Sequence, residues 1–251
     1  MNALIVPTTG LDVTILTRLA ESIDYPIPHK VIINNGRWYD LDQWGAKFTD
    51  WKILERPDNL GCAGSWNLAA EIMPHEKAWL ICNDDIAFKP GVLETLCAFA
   101  DENCEGHDAL RLNESYPYYC FIHTQKNIED FGTFDANFWP AYYEDCDYNV
   151  RVRLAGGTFK NCYPGQNQVI HGKPRTGGMD YNAMLQGMGL FNRHYWMQKW
   201  GSMNLETASY LWPFNLAERD HHFWKLDQMR RDKMHVLWDE FMATKNPSIY
   251  D

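Results

Sequence analysis

The feature that constrains this chain most is an apolar run, residues 78–82, that ends abruptly in Asn83, Asp84 and Asp85. The apolar pattern resumes for three residues and stops before Pro90. A short apolar run between such breakers predicts a buried strand. Adjacent carboxylates repel each other and are costly to desolvate unless a cation compensates them. The stretch therefore predicts a Mg²⁺ or Mn²⁺ site shared with substrate phosphates. A solvated turn rich in Asn and Asp is the alternative.

The composition is that of a globular protein with an acidic balance. The chain has 251 residues, of which 45% are hydrophobic, and its net charge is -10. This length suits one large domain, or one domain with an appendage. The negative charge argues against a nucleic-acid-binding surface, although it leaves room for a small basic pocket that binds a diphosphate. Aromatic residues are abundant, and they suit either a core or a sugar-binding surface.

The cysteines and the chain start bear on the cellular compartment. The seven cysteines are scattered, odd in number and without a CxxC pair. This pattern predicts reduced thiols in a cytosolic protein. No leader pattern and no apolar span of 18 residues is visible, so we expect a cytoplasmic protein without a transmembrane segment. The aromatic C-terminal helices leave room for peripheral membrane contact.

Strands and helices alternate through the first hundred residues. Apolar strands are predicted at 3–6, 30–33, 51–54 and 78–88, and helices at 13–23, 66–72 and 92–100. This alternation predicts a parallel α/β sheet, in which ligands bind beyond the carboxyl ends of the strands. Three polar segments follow strand ends and are expected to face one cleft: 34–36, 59–64 and 83–85.

The second half departs from this alternation. Strands without long crossover helices, suited to antiparallel pairing, are predicted at 109–112 and 118–124, with further short strands at 158–163 and 168–171. A helix is predicted from 142 to its C-cap at Gly156. Capping and the helix dipole would by themselves explain its acidic first turn. Asp147 and Arg151 have the i,i+4 spacing of an ion pair. Helical patterns follow at 181–200 and in the tail.

Six segments taken together resemble the family 2 nucleotide-sugar glycosyltransferases. They are 34–36, 59–67, 80–85, 132–156, 169–171 and 199–201. The resemblance lies in their order and spacing, and its most telling piece is Glu-Asp-x-Asp-Tyr-x-x-Arg after Gly-x-Phe-Asp. It implies a GT-A (Rossmann-like) fold over 1–201, with a mixed, mostly parallel central sheet flanked by helices. Residues 202–251 are expected to form a helical C-terminal extension packed on that domain.

The resemblance implies a metal site on the donor diphosphate. In the family, the acidic motif after the fourth strand binds the cation, so Asp85 is the expected ligand of Mn²⁺ or Mg²⁺. His171 resembles a histidine that completes the site, although a lone histidine is as readily structural. Asp84 takes a supporting role. Asn83 stands where the family usually has Asp, and it adds no charge.

Donor binding is expected from residues at the strand ends and in a basic loop. They are Pro7, Thr8, Asn34, Asn35, Asn59, Gly61, Asn67, Asn83, Asp84, Lys173 and Arg175. Asn34 or Asn35 stands where the family has an acid that accepts from the base. An Asn amide both accepts and donates, so a UDP-sugar is favoured but the base stays open. Lys173 and Arg175 are expected to close over the diphosphate, unless their loop is a plain solvated turn.

The expected reaction is metal-dependent, inverting transfer of a sugar to an acceptor hydroxyl of a glycan or glycoconjugate. A hard cation neutralises a leaving diphosphate, and a carboxylate in reach of the hydroxyl acts as base. Asp145 resembles the family's base, and acceptor binding is expected from Trp139, Tyr143 and Glu144. Two alternatives stay open: a non-catalytic module that binds sugar nucleotides or glycans, and a transferase that acts on a hydroxylated base in DNA.

Overall fold

A computed structural model describes residues 1–10, 13–36, 41–56, 59–112, 117–163, 168–172 and 179–208. The strands are β1 Ala3–Thr8, β2 His29–Asn34, β3 Lys52–Glu55, β4 Ala78–Cys82, β5 Ile86–Phe88, β6 Ala109–Arg111, β7 Cys120–Thr124, β8 Phe159–Asn161 and β9 Val169–His171. The helices are α1 Val13–Glu21, α2 Leu41–Lys47, α3 Gly61–Ile72, α4 Val92–Asn103, α5 Gln125–Phe131, α6 Glu144–Leu154 and α7 Met179–Trp200. A short 3-10 helix, Pro117–Tyr119, precedes β7.

Seven strands form one sheet in the order β3-β2-β1-β4-β7-β6-β8. Strands β1 to β4 pair in parallel, and β8 is parallel to β6. Strand β7 runs antiparallel to both of its neighbours. This mixed, mostly parallel sheet with flanking helices confirms the predicted fold class. The antiparallel pairing of β6 with β7 confirms the antiparallel strands predicted at 109–112 and 118–124.

The core forms on both faces of the sheet, because the central strands carry apolar side chains on both sides. In β1, Leu4 packs on one face with Leu16 of α1. Its neighbour Ile5 packs on the opposite face with Trp66 of α3. Helix α4 contributes to the first face and helix α6 to the second. The carboxyl edge of the parallel strands is left for polar residues.

The predicted fourth strand, 78–88, proved to be two strands in two different sheets. Strand β4 lies in the central sheet, whereas β5 pairs antiparallel with β9 in a separate two-stranded sheet. The break occurs at Asn83, whose backbone N–H donates to Tyr119 O at 2.8 Å. The polar turn therefore redirects the chain out of the sheet, and the prediction of one continuous strand was wrong.

The predicted helix bounds also need correction. Helix α3 begins at Gly61, so most of the predicted 59–64 loop is helical. Helices α2 and α5 were not predicted. The α5 helix is short, and its N-cap is Thr124, whose side chain accepts from Asn127 N. Of the expected C-terminal extension, the structure describes 202–208, where Ala208 is buried. The predicted helical tail beyond it lies outside the described residues.

Candidate functional site

The two residues predicted to hold the metal lie side by side. Asp85 follows β4, and β9 ends at His171. Because β5 and β9 pair with Ile86 opposite His171, the imidazole comes next to the carboxylate, with Nε2 3.2 Å from Asp85 Oδ1. The ring of Tyr119 stacks on His171 with 4.6 Å between centroids, which orients the imidazole.

The main chain of Asp85 is held from two sides. Arg18 Nη2 donates to Asp85 O at 2.8 Å, and the backbone N of Gly172 donates to the same oxygen at 2.7 Å. A Cβ at Gly172 would lie 2.8 Å from Asp85 O, so a side chain there would force the strand end to move. The loop expected to carry Lys173 and Arg175 starts from this contact, but both residues lie outside the described part of the chain.

The turn between β4 and β5 is tied to the end of β1. The hydroxyl of Thr8 donates to Asp84 Oδ2 at 2.6 Å. Thr8, which was predicted to bind the nucleotide-sugar donor, therefore positions a carboxylate. Asn83 sits at the start of the same turn. Pro7, also predicted to bind the donor, lies in β1 and is partly buried.

The amides predicted to read the nucleobase are engaged within the protein. Asn34 closes the turn after β2, since its Oδ1 accepts from Gly36 N at 3.0 Å and its Nδ2 donates to Gly36 O at 2.8 Å. Asn35 Oδ1 accepts from Leu60 N at 3.1 Å, and its Nδ2 donates to Ser65 Oγ at 2.8 Å. Asn35 therefore ties the end of β2 to the start of α3.

The start of α3 is docked on a turn from the second half of the chain. Asn59 Oδ1 accepts from Gly61 N at 2.8 Å, and Asn59 O accepts from Trp139 Nε1 at 2.6 Å. Gly61 has a φ of 68°, and a Cβ on it would lie 2.7 Å from Pro140 O. Only glycine suits this close approach in the left-handed region.

Two further predicted residues make structural contacts. Asn67 Nδ2 donates to Phe134 O, and Phe134 N donates to Asn67 Oδ1, both at 2.8 Å. This reciprocal pair anchors the Gly-x-Phe-Asp segment to α3. The indole of Trp139 is 1% exposed, so it lies in the core beneath the turn.

The chain enters α6 through two consecutive residues in the left-handed region, Tyr142 with a φ of 79° and Tyr143 with a φ of 76°. Bulky residues rarely adopt this conformation, and such strain concentrates at functional sites. Tyr143 is partly buried, with its ring centroid 5.9 Å from that of Trp196. The strained turn places Glu144 and Asp145 in the first turn of α6.

These two carboxyl groups are desolvated to different degrees. Glu144 is buried, and its Oε2 has no hydrogen-bond partner within the described ranges. Burial, followed by the charge of Asp145, raises the pKa of Glu144 well above its ordinary value. Burial also raises the pKa of Asp145, although Cys146 N donates to its Oδ1 at 2.7 Å and opposes the shift. Burial therefore disfavours the charged form of both groups, and it does so more strongly for Glu144.

The partly buried Cys62 connects the two halves of the site. Burial raises the pKa of its thiol well above its ordinary value, and the charges of Glu144, Asp145 and Asp84 raise it further. The backbone N of Cys62 donates to Pro140 O at 2.8 Å, which ties the start of α3 to the turn that leads into α6. Thr8, which holds Asp84, also accepts from Asn35 N through its backbone O at 2.8 Å. Since Asn35 is bonded to the start of α3, hydrogen bonds connect the end of β4 to the start of α6 along the carboxyl edge of the sheet.

The residues present fit a metal shared with a substrate better than a closed protein cage. Across the ranges that the structure describes, no group of three or more His, Cys, Asp or Glu side chains is placed to hold an ion. Asp85 and His171 supply two ligand groups, and in that part of the chain the buried Asp85 Oδ1 has its 3.2 Å contact with His171 Nε2 but no hydrogen bond of good geometry. Mg²⁺ sites often use one or two protein carboxylates and complete the shell with phosphates and water.

The other charged residues of the acidic motif form a buried ionic network. Asp147 Oδ2 accepts from Arg151 Nε at 2.8 Å, which confirms the predicted i,i+4 pair. Asp147 Oδ1 accepts from Lys199 Nζ at 2.6 Å and from Trp200 Nε1 at 2.9 Å. Lys199 also donates to Asp135 Oδ2 at 2.7 Å. These residues fix α6 against α7 and thereby support its acidic first turn.

Three contributors were given no role from the sequence: Arg18, Cys62 and Lys199. Cys62 and Lys199 lie within segments of the family resemblance, 59–67 and 199–201. Lys199 carried a usable signal, because it interrupts an aromatic cluster of α7 that includes Trp196 and Trp200. A lysine among buried aromatic residues predicts a buried carboxylate partner.

The fold and the site together define an α/β protein with a mostly parallel sheet and two carboxylate clusters at its carboxyl edge. No protein-family model matches the chain, and no curated protein matches it. Solved structures of TarS from S. aureus are similar to it. The structure of TarS 1-349 has a TM-score of 0.49 at 14% identity and covers 81% of this chain and 75% of that chain.

Two further TarS structures are also similar. The complex of TarS 1-349 with UDP-GlcNAc has a TM-score of 0.46 at 14% identity, and the match covers 66% of this chain and 60% of that chain. A longer TarS structure has a TM-score of 0.44 at 16% identity, with 61% of this chain and 33% of that chain covered. The chain thus spans about a third of this longest match. Separately, none of the described helices is both long and apolar enough to cross a membrane.

Proposed function

We propose that the protein is a GT-A-type glycosyltransferase that moves a sugar from a nucleotide-diphosphate sugar, with a UDP-sugar favoured, to an acceptor hydroxyl of a glycan or glycoconjugate. The observation that carries the proposal is the pairing of Asp85 with His171, whose Nε2 lies 3.2 Å from Asp85 Oδ1 and which suits a cation. Asp145, in the acidic first turn of α6, supplies a carboxylate suited to act as base.

The donor half of the site comprises the end of β4 and its supports. Asp85 and His171 would hold Mn²⁺ or Mg²⁺ together with donor phosphate oxygens. When bound, the cation would supply Lewis-acid stabilisation of the leaving diphosphate. Thr8 keeps Asp84 oriented at this edge, and Arg18 and Gly172 hold the backbone of Asp85. Lys173 and Arg175 stay predicted diphosphate ligands.

The acceptor half is the first turn of α6. Asp145 would take the proton of the acceptor hydroxyl while the hydroxyl oxygen bonds to the anomeric carbon and the bond from that carbon to the diphosphate breaks. One displacement of this kind inverts the anomeric centre. A pKa raised by burial favours this role, because a base works best when its pKa is near the working pH. Two carboxyl groups with separated pKa values allow one to stay neutral while the other is the base.

A thermal-shift panel tests the donor half. Nucleoside diphosphates are added to the full chain with and without Mn²⁺, and one nucleotide is expected to raise Tm in a metal-dependent way by binding the folded state. Asp85→Ala should abolish that shift. Glu94→Ala, which removes an exposed carboxylate of α4, is the matched control and should retain it. A complete lack of metal-dependent shifts would refute the proposal.

A turnover assay tests the acceptor half. Asp145→Asn should retain the nucleotide shift while transfer and donor hydrolysis fall by about 10²-fold or more, as expected for loss of a general base. Near-normal turnover in this variant would remove Asp145 from the role of base. A nucleotide shift without turnover across a broad panel of donors and acceptors would instead indicate a sugar-nucleotide-binding module.

A further inference from the structure

One aromatic residue differs from its neighbours in the run 138–143. Phe138 is 0% exposed and Trp139 is 1% exposed, whereas Tyr142 is 47% exposed. Tyr143 is partly buried. Within this run, Tyr142 is therefore the aromatic residue with the largest exposed fraction, although the sequence pointed to Trp139 and Tyr143 for acceptor binding.

The ring of Tyr142 is held in a defined position despite its exposure. It lies on helix α7 at Gly189, where a Cβ would be 3.3 Å from the ring atom Cδ2. The side chain of Asn192 donates to Ala141 O at 2.7 Å and to Tyr142 O at 3.2 Å. The left-handed backbone at Tyr142, with a φ of 79°, is thus supported by α7. A strained conformation persists only where the surrounding structure holds it.

The ring also lies beside the acidic cluster. Tyr142 precedes Glu144 by two residues and Asp145 by three. Burial of part of the ring, followed by the charges of Cys62 and Glu144, raises the pKa of its hydroxyl. Tyr142 thus lies at the entry to α6, on the side of the site that carries Glu144 and Asp145 rather than the side of Asp85.

We propose that Tyr142 is the platform on which a saccharide ring of the acceptor stacks. This inference rests on the proposed function and specifies the acceptor as a carbohydrate. A flat, rigid aromatic ring offers a large apolar contact at low entropic cost, which suits the C–H face of a pyranose. The neighbouring carboxylates suit its hydroxyl groups as acceptors of hydrogen bonds. The net charge of -10 disfavours a nucleic acid on the same surface.

Direct binding to the full chain tests the platform. A panel of oligosaccharides is titrated by saturation-transfer NMR in the presence of diamagnetic Mg²⁺ and the nucleotide identified by thermal shift. Tyr142→Asn removes the ring while keeping a residue that tolerates the left-handed region. It should weaken saccharide binding about 5- to 10-fold, the scale of an aromatic contact. Tyr142→Phe and Tyr142→Trp should retain binding.

Two further variants separate the platform from a general structural effect. Gly189→Ala introduces a Cβ against the ring and should also weaken saccharide binding, without touching the acceptor. Tyr163→Ala removes another tyrosine, 65% exposed, and should leave binding unchanged. The metal-dependent nucleotide shift should be the same in all of these variants, so the donor site is monitored independently.

The outcomes are distinct. Loss of saccharide binding in Tyr142→Asn, with retention in Tyr142→Phe and Tyr163→Ala, supports the proposal. Unchanged binding in Tyr142→Asn overturns it, as does binding of hydroxymethylated DNA in place of every saccharide. An intact nucleotide shift without any saccharide binding also overturns the platform, while the proposed donor chemistry stands. Failure of the nucleotide shift itself counts against the proposed function.

Discussion

Lys199→Met removes the buried ammonium group of α7 that pairs with the carboxylates of Asp135 and Asp147. The Lys199 side chain is 2% exposed, and its Nζ lies 2.7 Å from Asp135 Oδ2 and 2.6 Å from Asp147 Oδ1. Methionine retains most of the volume of the side chain without its charge. In the variant, Asp147 keeps its ion pair with Arg151. Asp135 keeps the hydroxyl of Tyr195 as a donor at 2.8 Å, but loses the cation.

The expected loss of stability is large because a buried charge is left without compensation. Removal of one partner of a buried ion pair costs about 3–5 kcal/mol. For a domain of this size, each kcal/mol corresponds to about 2–4 °C in Tm, so the melting temperature should fall by roughly 6–20 °C. Because Lys199 anchors α6, the same variant should also weaken activity through the position of Asp145.

The pH dependence of the loss of stability shows whether the uncompensated charge of Asp135 causes it. Burial by itself would raise the pKa of Asp135, but the charge and hydrogen bond of Lys199 hold it far below its usual range. A lowered pKa stabilises the fold above the unfolded-state value of about 3.9, and this stabilisation is lost on acidification. Without Lys199, burial would raise the pKa of Asp135 instead. The destabilisation should therefore be larger at pH 7 than near pH 4.

The assay is thermal or urea unfolding at both pH values, with two comparisons. Lys77→Met removes an exposed lysine, whose side chain is 73% exposed in its pair with Glu105, and its Tm should match that of the unsubstituted chain. Asp135→Asn combined with Lys199→Met should recover part of the loss, because the stranded charge is gone. The reasoning is refuted if Lys199→Met lowers stability no more than Lys77→Met does. It is also refuted if the loss of stability in Lys199→Met is as large near pH 4 as at pH 7.

Two further predictions concern the groups that border the site. Burial and the charge of Asp145 raise the pKa of Glu144, so this group stabilises the fold below its unfolded pKa of about 4.3 and the effect is lost as the pH rises towards the raised value. Glu144→Gln should flatten that decline in Tm between pH 5 and pH 8; an unchanged slope would show that Glu144 ionises normally. Gly61→Ala places a Cβ 2.7 Å from Pro140 O at a φ of 68° and should destabilise the fold by about 1–3 kcal/mol in urea unfolding. Gly45→Ala, in a helix with nothing within 4 Å of the added Cβ, is its control and should be neutral or stabilising, so equal losses would contradict the packing argument.

Local patterns predicted the parts of this site that depend on neighbours in sequence. The apolar run 78–82 predicted a buried strand and β4 confirms it, although the predicted continuation of that strand to residue 88 was wrong. The i,i+4 spacing predicted the pair of Asp147 and Arg151. Both depend on periodicity over a few residues, which a sequence displays directly.

Several motif residues make long-range structural contacts that the sequence did not predict. Asn67 holds Phe134 through its side-chain amide, and Asn59 accepts from Trp139 through its backbone carbonyl, so both hold the 134–140 segment against α3. The aromatic run did not predict which ring would be exposed. Helix α7 decides this, because Gly189 and Asn192 support Tyr142 while Trp139 is buried.

By itself the sequence determined the alternation of elements, the mixed α/β class and the strand end that carries Asp85. The tertiary structure decided that His171 stands next to Asp85, because the turn at Asn83 sends β5 out of the central sheet to pair with β9. It also decided that the start of α3 docks on the turn before α6, because Cys62 N donates to Pro140 O at 2.8 Å. Strand pairing and helix docking join residues that are far apart in sequence, and no local period records which of them will meet.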